Sequence, residues 1–332
     1  MRTLAIIGAG GWGTALSIVL APRFERVRLW VYEKDLAATL RARRENELYL
    51  PGVRVPDKVE ITTDYAEALA GADIVVGAMP SHHARRLYGE MLPYLAPSMV
   101  LVSATKGLEQ GTLLRMSQVI RAVVGQRFDP SVAVLSGPTF APEIARGEPA
   151  AVVIASENET LARNIQVAFS GPTFRLYTNS DPTGVEIGAA VKNVIAIAAG
   201  VCRGLGLGSN SVAALITRGL AEITRLAVAL GGQSRTLAGL AGLGDLVLTC
   251  TGELSRNRSV GVRLGRGEKL EEIVSSMRMV AEGIRTTEAT VELACRHGVE
   301  MPITQQMYQM LRQGKPPREA IRELMERSLK PE

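Results

Sequence analysis

A glycine turn near the N-terminus constrains the fold of this chain more than any other feature. It places Gly8, Gly10 and Gly13 in a G-x-G-x-x-G motif between the apolar run of residues 3–7 and a helical pattern over residues 14–20. In a strand–turn–helix setting these glycines permit a tight turn, close approach of the backbone to a pyrophosphate, and close packing of the helix on the strand. The N–H groups at the start of the helix would face the phosphates. The motif therefore predicts a dinucleotide-binding α/β domain.

An acidic residue follows the second predicted strand, residues 27–31. Glu33 lies 20 residues after Gly13, where a carboxylate accepts hydrogen bonds from the adenosine ribose hydroxyls. This acid, with Tyr32 beside it, favours NAD because a carboxylate would repel the 2′-phosphate of NADP. Lys34 and the nearby arginines oppose that repulsion, so the use of either cofactor stays open. A solvated loop charge is the alternative interpretation of Glu33.

The remaining strand and helix patterns of the first half alternate, as they do in a doubly wound sheet. Strands are predicted over residues 74–78, 99–102, 132–135 and 151–154, and helices over residues 65–70, 83–92 and 113–124. We therefore expect residues 1–183 to form an α/β, Rossmann-type domain with a parallel sheet. Lys106 follows one of these strands, at the sheet edge where ligands bind. That position favours the interpretation that Lys106 contacts an oxygen of a substrate or phosphate over the interpretation that it is a plain surface lysine.

A lysine interrupts the most apolar segment of the chain, residues 184–200. A helix that is apolar on nearly every side is expected to be buried all round. The ammonium of Lys192 would then be costly unless it is paired or loses its proton. Glu186 is the nearest acid, but six residues along a helix is about 240° of rotation, so it points elsewhere. We therefore favour a functional lysine over a salt-bridged core lysine. The length and the glycine, alanine and polar content of the segment argue against a membrane span.

Residues 184–332 have helical patterns and no convincing strand, which predicts a second, helical domain. Because it contains Lys192, for which a functional role is favoured, we expect it to be the substrate-binding and catalytic domain. Asp245 stands alone among apolar and glycine residues. It either caps a helix or faces a buried cation, for which Lys192 is the candidate.

Ser255 has the position of a helix N-cap, with Arg256 and Asn257 in the first turn that follows. Arginines are unfavourable at a helix N-terminus unless an anion such as phosphate is bound there. A phosphate site is therefore favoured over a solvated basic turn. Glu282 is a further acid beside a turn and is a candidate cofactor contact.

The composition excludes several other classes of protein. Aromatic residues make up 4% of the 332-residue chain, too few for a stacking platform that binds nucleic acid. The net charge of +5 is spread along the chain, which suits a small anionic ligand better than a duplex. Cys202, Cys250 and Cys295 show no metal-ligand spacing, so we expect no metal and a reducing compartment. A strand begins almost at Met1 with no leader before it, and we expect a cytoplasmic protein.

The order of longer motifs is more specific than the glycine turn alone. The stretches are GAGGWGTAL, ENELYLPGV, ATKGLE, SGPTFAPE, GVEIGAAVKNVIAIAAG, NSVAALITRGLAEITRL, GLAGLGDLVLTCTGELSRNR and AEGIRTTEA. With these stretches in this order, the chain resembles the bacterial NAD(P)-dependent glycerol-3-phosphate dehydrogenases along nearly its whole length.

The resemblance implies particular roles for residues of this chain. The proton acceptor of the family falls on Lys192. The substrate-binding positions fall on Lys106, Gly137, Thr139, Asp245, Ser255, Arg256 and Asn257, and the cofactor positions on Gly11, Trp12, Tyr49, Lys106, Ala141, Arg256, Val280 and Glu282. The chain departs from many relatives at Tyr32 and Glu33, where a basic or histidine-containing pair is expected, and at Thr139, where serine is common and the hydroxyl is kept.

The reaction that the resemblance implies is the interconversion of sn-glycerol 3-phosphate and dihydroxyacetone phosphate, with NAD or NADP, by a homodimer. It supplies glycerol 3-phosphate for phospholipid synthesis. Neutral Lys192 would accept the C2 hydroxyl proton, and burial and the like charge of Lys106 would lower its pKa whereas Asp245 would raise it. Two alternatives are a related β-hydroxy-acid or hydroxyacyl dehydrogenase, and a non-catalytic protein that senses nucleotides.

Overall fold

The structure is a computed structural model that describes residues 1–277 and 281–329. The chain divides into two compact units, one of Met1–Glu109 with Leu114–Glu186, the other of Gln110–Leu113 with Ile187–Glu332. The strands are β1 Thr3–Ile7, β2 Arg26–Trp30, β3 Glu45–Asn46, β4 Leu50–Arg54, β5 Val59–Thr62, β6 Ile74–Gly77, β7 Val100–Ser103, β8 Ser131–Ser136, β9 Ala150–Ala155 and β10 Phe174–Asn179. The helices of the first unit are α1 Gly11–Leu20, α2 Lys34–Arg43, α3 Tyr65–Leu69, α4 Ala84–Met91, α5 Met116–Val124, α6 Ala141–Ala145 and α7 Glu159–Phe169.

An eight-stranded sheet in the order β10-β9-β8-β7-β6-β1-β2-β5 forms the centre of the first unit. The six strands from β8 to β5 are parallel, which confirms the predicted Rossmann-type sheet. The structure adds an antiparallel junction, because β9 runs against β8 and β10 runs parallel to β9. Strands β5 and β10 and the antiparallel hairpin of β3 and β4 were absent from the sequence prediction.

Strand β1, which lies between β6 and β2, shows that the sheet is buried on both faces. Its residues alternate between faces, as successive side chains of a strand must. Leu4 and Ile6 belong to one hydrophobic cluster, whereas Ala5 and Ile7 belong to the other. All four are fully buried, so the strand reads as a continuous apolar run.

The second unit is built from helices, and the structure describes no strand in its residues up to 277 and from 281 to 329. The helices are α8 Pro182–Gly204, which starts in the first unit, α9 Ser209–Ala229, α10 Ser234–Leu237, α11 Asp245–Thr251, α12 Arg256–Gly265, α13 Leu270–Ser275, α14 Glu282–Arg296, α15 Pro302–Gln313 and α16 Pro317–Met325, with a π-helical turn at Leu240–Gly244.

Helix α8 contains the apolar segment that the sequence places in the core. It has 23 residues and is long and apolar enough to cross a membrane by length and composition, so the expectation that it is too short was wrong. Its most apolar stretch is nevertheless wholly buried inside the protein. This burial is the property expected of a core helix.

Glycines bring the backbones of α8 and α12 into direct contact. A Cβ atom on Gly200 would lie 2.8 Å from the Cα of Gly261, and one on Gly204 would lie 2.9 Å from the Cα of Gly265. Carbon atoms in contact lie about 3.5–4.0 Å apart. These four positions therefore have no room for a side chain, and the crossing fixes α12 against α8.

Candidate active site

The glycine turn of the first unit leads from β1 into α1. Gly8 has a φ of +113°, which L-residues rarely adopt, and a Cβ atom there would lie 2.6 Å from the carbonyl oxygen of Ala78. A Cβ on Gly13 would overlap the carbonyl of Gly8. Gly8 therefore makes the tight turn and Gly13 permits the close packing of α1 on the strand.

The residues around this turn fit the pyrophosphate of a dinucleotide. The first turn of α1 carries no acidic residue among its described side chains, and the space beside Gly10 is open for 4 Å within the described structure. Trp12 Nε1 is buried without a hydrogen-bond partner among residues 1–277 and 281–329. The N–H groups at a helix N-terminus bind anions, so an anionic group can be accommodated at this end of α1.

Tyr49 joins the end of β2 to the hairpin of β3 and β4. Its hydroxyl donates to Glu33 Oε1 at 2.9 Å. Its backbone N–H donates to Asn46 Oδ1 at 3.0 Å, and the Asn46 amide donates at 2.8 Å to the carbonyl of Ala9 and to Thr14 Oγ1. The structure thus brings two predicted cofactor residues together. Asn46, which is fully buried and was not predicted, ties them to the glycine turn.

The loops after β7 and β8 meet at the carboxyl ends of adjacent parallel strands. Lys106 Nζ donates to the carbonyl oxygen of Gly137 and to Thr139 Oγ1, each at 3.0 Å. Gly137 has a φ of +142°, and a Cβ on it would lie 3.0 Å from the Cα of Val152. Three residues assigned to substrate binding by resemblance are therefore in direct contact with one another. Ala141 begins α6, and its Cβ lies 3.7 Å from the position that a Cβ atom on Gly11 would take.

Lys192 of the second unit is a buried, paired cation. It is 5% exposed and donates to Asp245 Oδ1, which is 1% exposed. It also donates to Thr249 Oγ1 at 2.7 Å, and that hydroxyl donates to the carbonyl of Asp245 at 2.6 Å. Of the two interpretations of Asp245, the buried cation is right, because its carboxylate pairs with Lys192 and the N-cap of α11 is Gly244. Glu186 points away, as expected, and accepts from Arg115.

The start of α12 is linked to α8 and α14. Ser255 is the N-cap, as predicted, and its Oγ accepts from the N–H of Arg258 at 3.2 Å. Asn257 Nδ2 donates to Asn193 Oδ1 at 2.9 Å, and Asn257 Oδ1 accepts from the N–H of Gly283 at 3.0 Å. The Asn257 side chain therefore holds the beginnings of two helices against α8.

The remaining candidate residues lie at the ends of helices and strands or outside the described residues. Arg256 lies in the first turn of α12, where burial lowers the pKa of its guanidinium and the charge of Glu282, at the start of α14, acts to raise it. Tyr32 is exposed, with the guanidinium carbon of Arg86 5.4 Å from the centre of its ring. Val280 lies outside the described residues.

Three residues that touch these groups were not among the predicted site residues. Asn193 is next to Lys192 in the sequence. Thr249 is four residues after Asp245, and this spacing places Asp245 and Thr249 on the same face of α11. Helical spacing could therefore have identified Thr249. Asn46 gave no signal of its own, because the two groups to which its amide donates lie 32 to 37 residues away in the sequence.

The chemistry that these residues can perform is limited in kind. Within the described ranges, no group of three His, Cys, Asp or Glu side chains could hold a metal ion. A Rossmann-type sheet with this glycine turn, in a chain whose helical unit holds a buried lysine–aspartate pair, is typical of the class of dinucleotide-dependent dehydrogenases.

The comparison with protein families narrows that class. Residues 3–162 match the model of the NAD-dependent glycerol-3-phosphate dehydrogenase N-terminus, and residues 181–322 match that of the C-terminus. The chain belongs to the NAD-dependent glycerol-3-phosphate dehydrogenase family.

Similar proteins match over nearly the whole chain. It is 61% identical to the glycerol-3-phosphate dehydrogenase (NAD(P)+) of Koribacter versatilis over 329 residues, which are 98% of each protein. It is 53% identical to the enzyme of the same name from Geobacter sp. strain M21, over 99% of this chain and 98% of the relative. The crystal structure of glycerol-3-phosphate dehydrogenase from Coxiella burnetii superposes with a TM-score of 0.93 at 41% identity, over 98% of this chain and 99% of that one.

Proposed function

We propose that this chain interconverts sn-glycerol 3-phosphate and dihydroxyacetone phosphate by hydride transfer at C2, with NAD or NADP, and so supplies glycerol 3-phosphate for phospholipid synthesis. The observation that carries the proposal is the buried contact of Lys192 with Asp245 and Thr249, in a chain of this family. A buried lysine held in one orientation is suited to exchange a proton with a hydroxyl group. We further propose that the protein is cytoplasmic and homodimeric.

Lys192 is the proton acceptor in the oxidation. The C2–H bond of glycerol 3-phosphate breaks with its electron pair, which the nicotinamide accepts when the cofactor is bound. The C2 hydroxyl proton passes to the neutral Nζ of Lys192, and in the reducing direction the ammonium returns it to the nascent alkoxide. Asp245 compensates the charge of the ammonium, and Thr249 restricts its rotation.

The start of α12 holds the phosphate in this proposal. Ser255, Arg256 and Asn257 supply hydroxyl, guanidinium and amide groups at a helix N-terminus, where the dipole favours an anion. Asp245 is a further substrate position of the second unit. Binding energy from the phosphate, remote from C2, would position the reacting carbon.

In the first unit, Lys106, Gly137 and Thr139 are assigned to substrate binding, and Lys106 also to the cofactor. The proposed cofactor residues are Gly8, Gly10, Gly11, Trp12, Gly13, Tyr32, Glu33, Tyr49 and Ala141 in this unit, with Arg256, Val280 and Glu282 in the second. The open space at Gly10 and the buried Trp12 Nε1 support this assignment.

Initial rates of dihydroxyacetone phosphate reduction, followed at the nicotinamide absorbance, test the proposal. We expect turnover by the wild type and none by Lys192→Ala, with an unchanged circular dichroism spectrum. Lys192→Arg should also fail, because arginine does not act as a base near neutral pH. Near-normal turnover by Lys192→Ala would remove Lys192 from this role. Absence of turnover by wild-type protein that binds a cofactor would favour a related hydroxy-acid substrate.

A further inference from the structure

The carboxylate of Glu33 is held by a single hydrogen bond at the end of β2. Glu33 is the N-cap residue of α2, but its side chain turns to the Tyr49 hydroxyl instead of the helix amides. In the described part of the chain, Oε2 of Glu33 takes no hydrogen bond. One oxygen is therefore fixed, and the other keeps its capacity to accept a hydrogen bond from a ligand.

Tyr49 is itself fixed at both ends. Its backbone N–H is bound to Asn46, which is bound in turn to the carbonyl of Ala9 inside the glycine turn. A Cβ on Gly11 would lie 2.8 Å from the carbonyl oxygen of Tyr49, so the backbone of Tyr49 lies directly against the start of α1. The turn that receives the pyrophosphate thus determines where the Tyr49 hydroxyl, and with it the Glu33 carboxylate, is placed.

The ribose diol of adenosine is the chemical group that this carboxylate would recognise. In sheets of this type, an acid at the end of the second strand accepts hydrogen bonds from the ribose 2′-hydroxyl. We propose that Tyr49 is a positioning residue that holds Glu33 for the ribose diol, so that this chain binds NAD in preference to NADP. The inference rests on the proposed function only in taking NAD or NADP as the ligand.

The charges around Glu33 support the same preference. A 2′-phosphate carries up to two negative charges and would meet the Glu33 carboxylate, where like charges repel. Arg86, whose guanidinium lies over Tyr32, forms an ion pair with Glu90 at 2.6 Å. Lys34 is exposed in the first turn of α2 and is a cation that could reduce the repulsion. We therefore expect a clear preference for NAD over NADP, which Lys34 makes smaller than the Glu33 charge alone would.

Isothermal titration calorimetry of the full chain with NADH and with NADPH tests the proposal without turnover. We expect NADH to bind at least about tenfold more tightly than NADPH, as the loss of a hydrogen bond to a charged group implies. Glu33→Gln should abolish this preference. Tyr49→Phe should reduce the ratio of the two dissociation constants by about threefold to tenfold, because the unsupported carboxylate is mobile.

A matched control tests whether the loss of any tyrosine–glutamate hydrogen bond in this unit would have the same effect. Tyr65 donates to Glu90 Oε2 at 3.0 Å, so Tyr65→Phe removes an equivalent tyrosine–glutamate bond from the same unit. We expect it to leave the ratio unchanged. A double-mutant cycle then asks whether Tyr49 acts through Glu33. In the Glu33→Gln background, Tyr49→Phe should have no further effect on the ratio.

Three results would overturn the inference. The first is equal or tighter binding of NADPH by the wild type. The second is a Tyr49→Phe variant that weakens NADH and NADPH equally, which would make Tyr49 a direct contact common to both cofactors. The third is an effect of Tyr49→Phe on the ratio that persists without the Glu33 charge. A protein that prefers NADH but does not reduce dihydroxyacetone phosphate would contradict the proposed function and leave this inference intact.

Discussion

Gly261→Ala is expected to destabilise the second unit by separating α12 from α8. The new Cβ would overlap the carbonyl oxygen of Ile197 and lie 2.8 Å from the Cα of Gly200. Carbon atoms need about 3.5 Å, so the helices must part by at least roughly 0.7 Å along their contact. Overpacking of this kind costs up to about 3 kcal/mol, and alanine returns about 1 kcal/mol of helix propensity. The net loss is about 2 kcal/mol.

The assay is thermal unfolding followed by circular dichroism. A loss of this size corresponds to a fall in Tm of roughly 4–8 °C for a unit of this length. Gly89→Ala is the matched control, because Gly89 is an exposed residue of α4 with no atom of the described structure within 4 Å of a Cβ. There the same substitution should raise the stability by about 1 kcal/mol through helix propensity alone. A Tm for Gly261→Ala at or above that of the wild type would refute the close contact.

Three further predictions concern buried polar groups. Thr249→Val removes an acceptor from the Lys192 ammonium. It should lower kcat for dihydroxyacetone phosphate reduction by about tenfold, with a smaller change in KM, because one hydrogen bond to a charged group is lost; an unchanged kcat in steady-state kinetics would exclude Thr249 from orienting the lysine. Glu222 accepts from the N–H of Ile303 at 2.6 Å and from the Thr304 hydroxyl at 3.0 Å, and burial raises its pKa above that of an unfolded glutamate. Glu222 therefore contributes its full stabilisation of the fold below the pKa that it has in the unfolded chain, and this contribution is lost as the pH rises through its pKa in the folded protein. The fall in Tm caused by Glu222→Gln should accordingly be smaller at pH 8 than at pH 5. A fall in Tm that grows with pH would contradict the raised pKa. Burial raises the pKa of Cys250 to about 12, whereas Cys295 is exposed. Iodoacetamide at pH 8 should therefore modify Cys295 first, as peptide mass spectrometry will establish, and early modification of Cys250 would indicate that its surroundings are open.

The sequence predicted the parts of the fold that depend on local pattern. Strand β1 is a continuous apolar run because the sheet buries it on both faces, and such runs are visible in the sequence. Edge strand β10 alternates between buried and exposed residues from Phe174 onwards, with a polar end, and its apolar signal was too weak to identify. The direction of β9 was also hidden, since an apolar run is the same for a parallel and an antiparallel strand.

The contacts of the candidate site likewise include some that the sequence could predict and others that it could not. The pair of Lys192 and Asp245 was predictable because each is an isolated charge in an apolar segment, and two such charges must be compensated. The bond between Tyr49 and Glu33 was not, although both residues had been singled out. Their contact depends on the hairpin of β3 and β4 folding back onto the glycine turn through Asn46, and no local spacing records such a return.

The burial of α8 has a consequence for the order of events during synthesis. Lys192 and its carboxylate partner are separated by 53 residues, and the glycines that receive α8 lie further on, in α12. Translation adds about 5–20 residues per second, so roughly 3–10 s pass between the appearance of the lysine and that of Asp245. During that time Lys192 has been synthesised and its carboxylate partner has not. The pairing of Lys192 with Asp245 and the contact of α8 with α12 therefore form only after these later segments have been made.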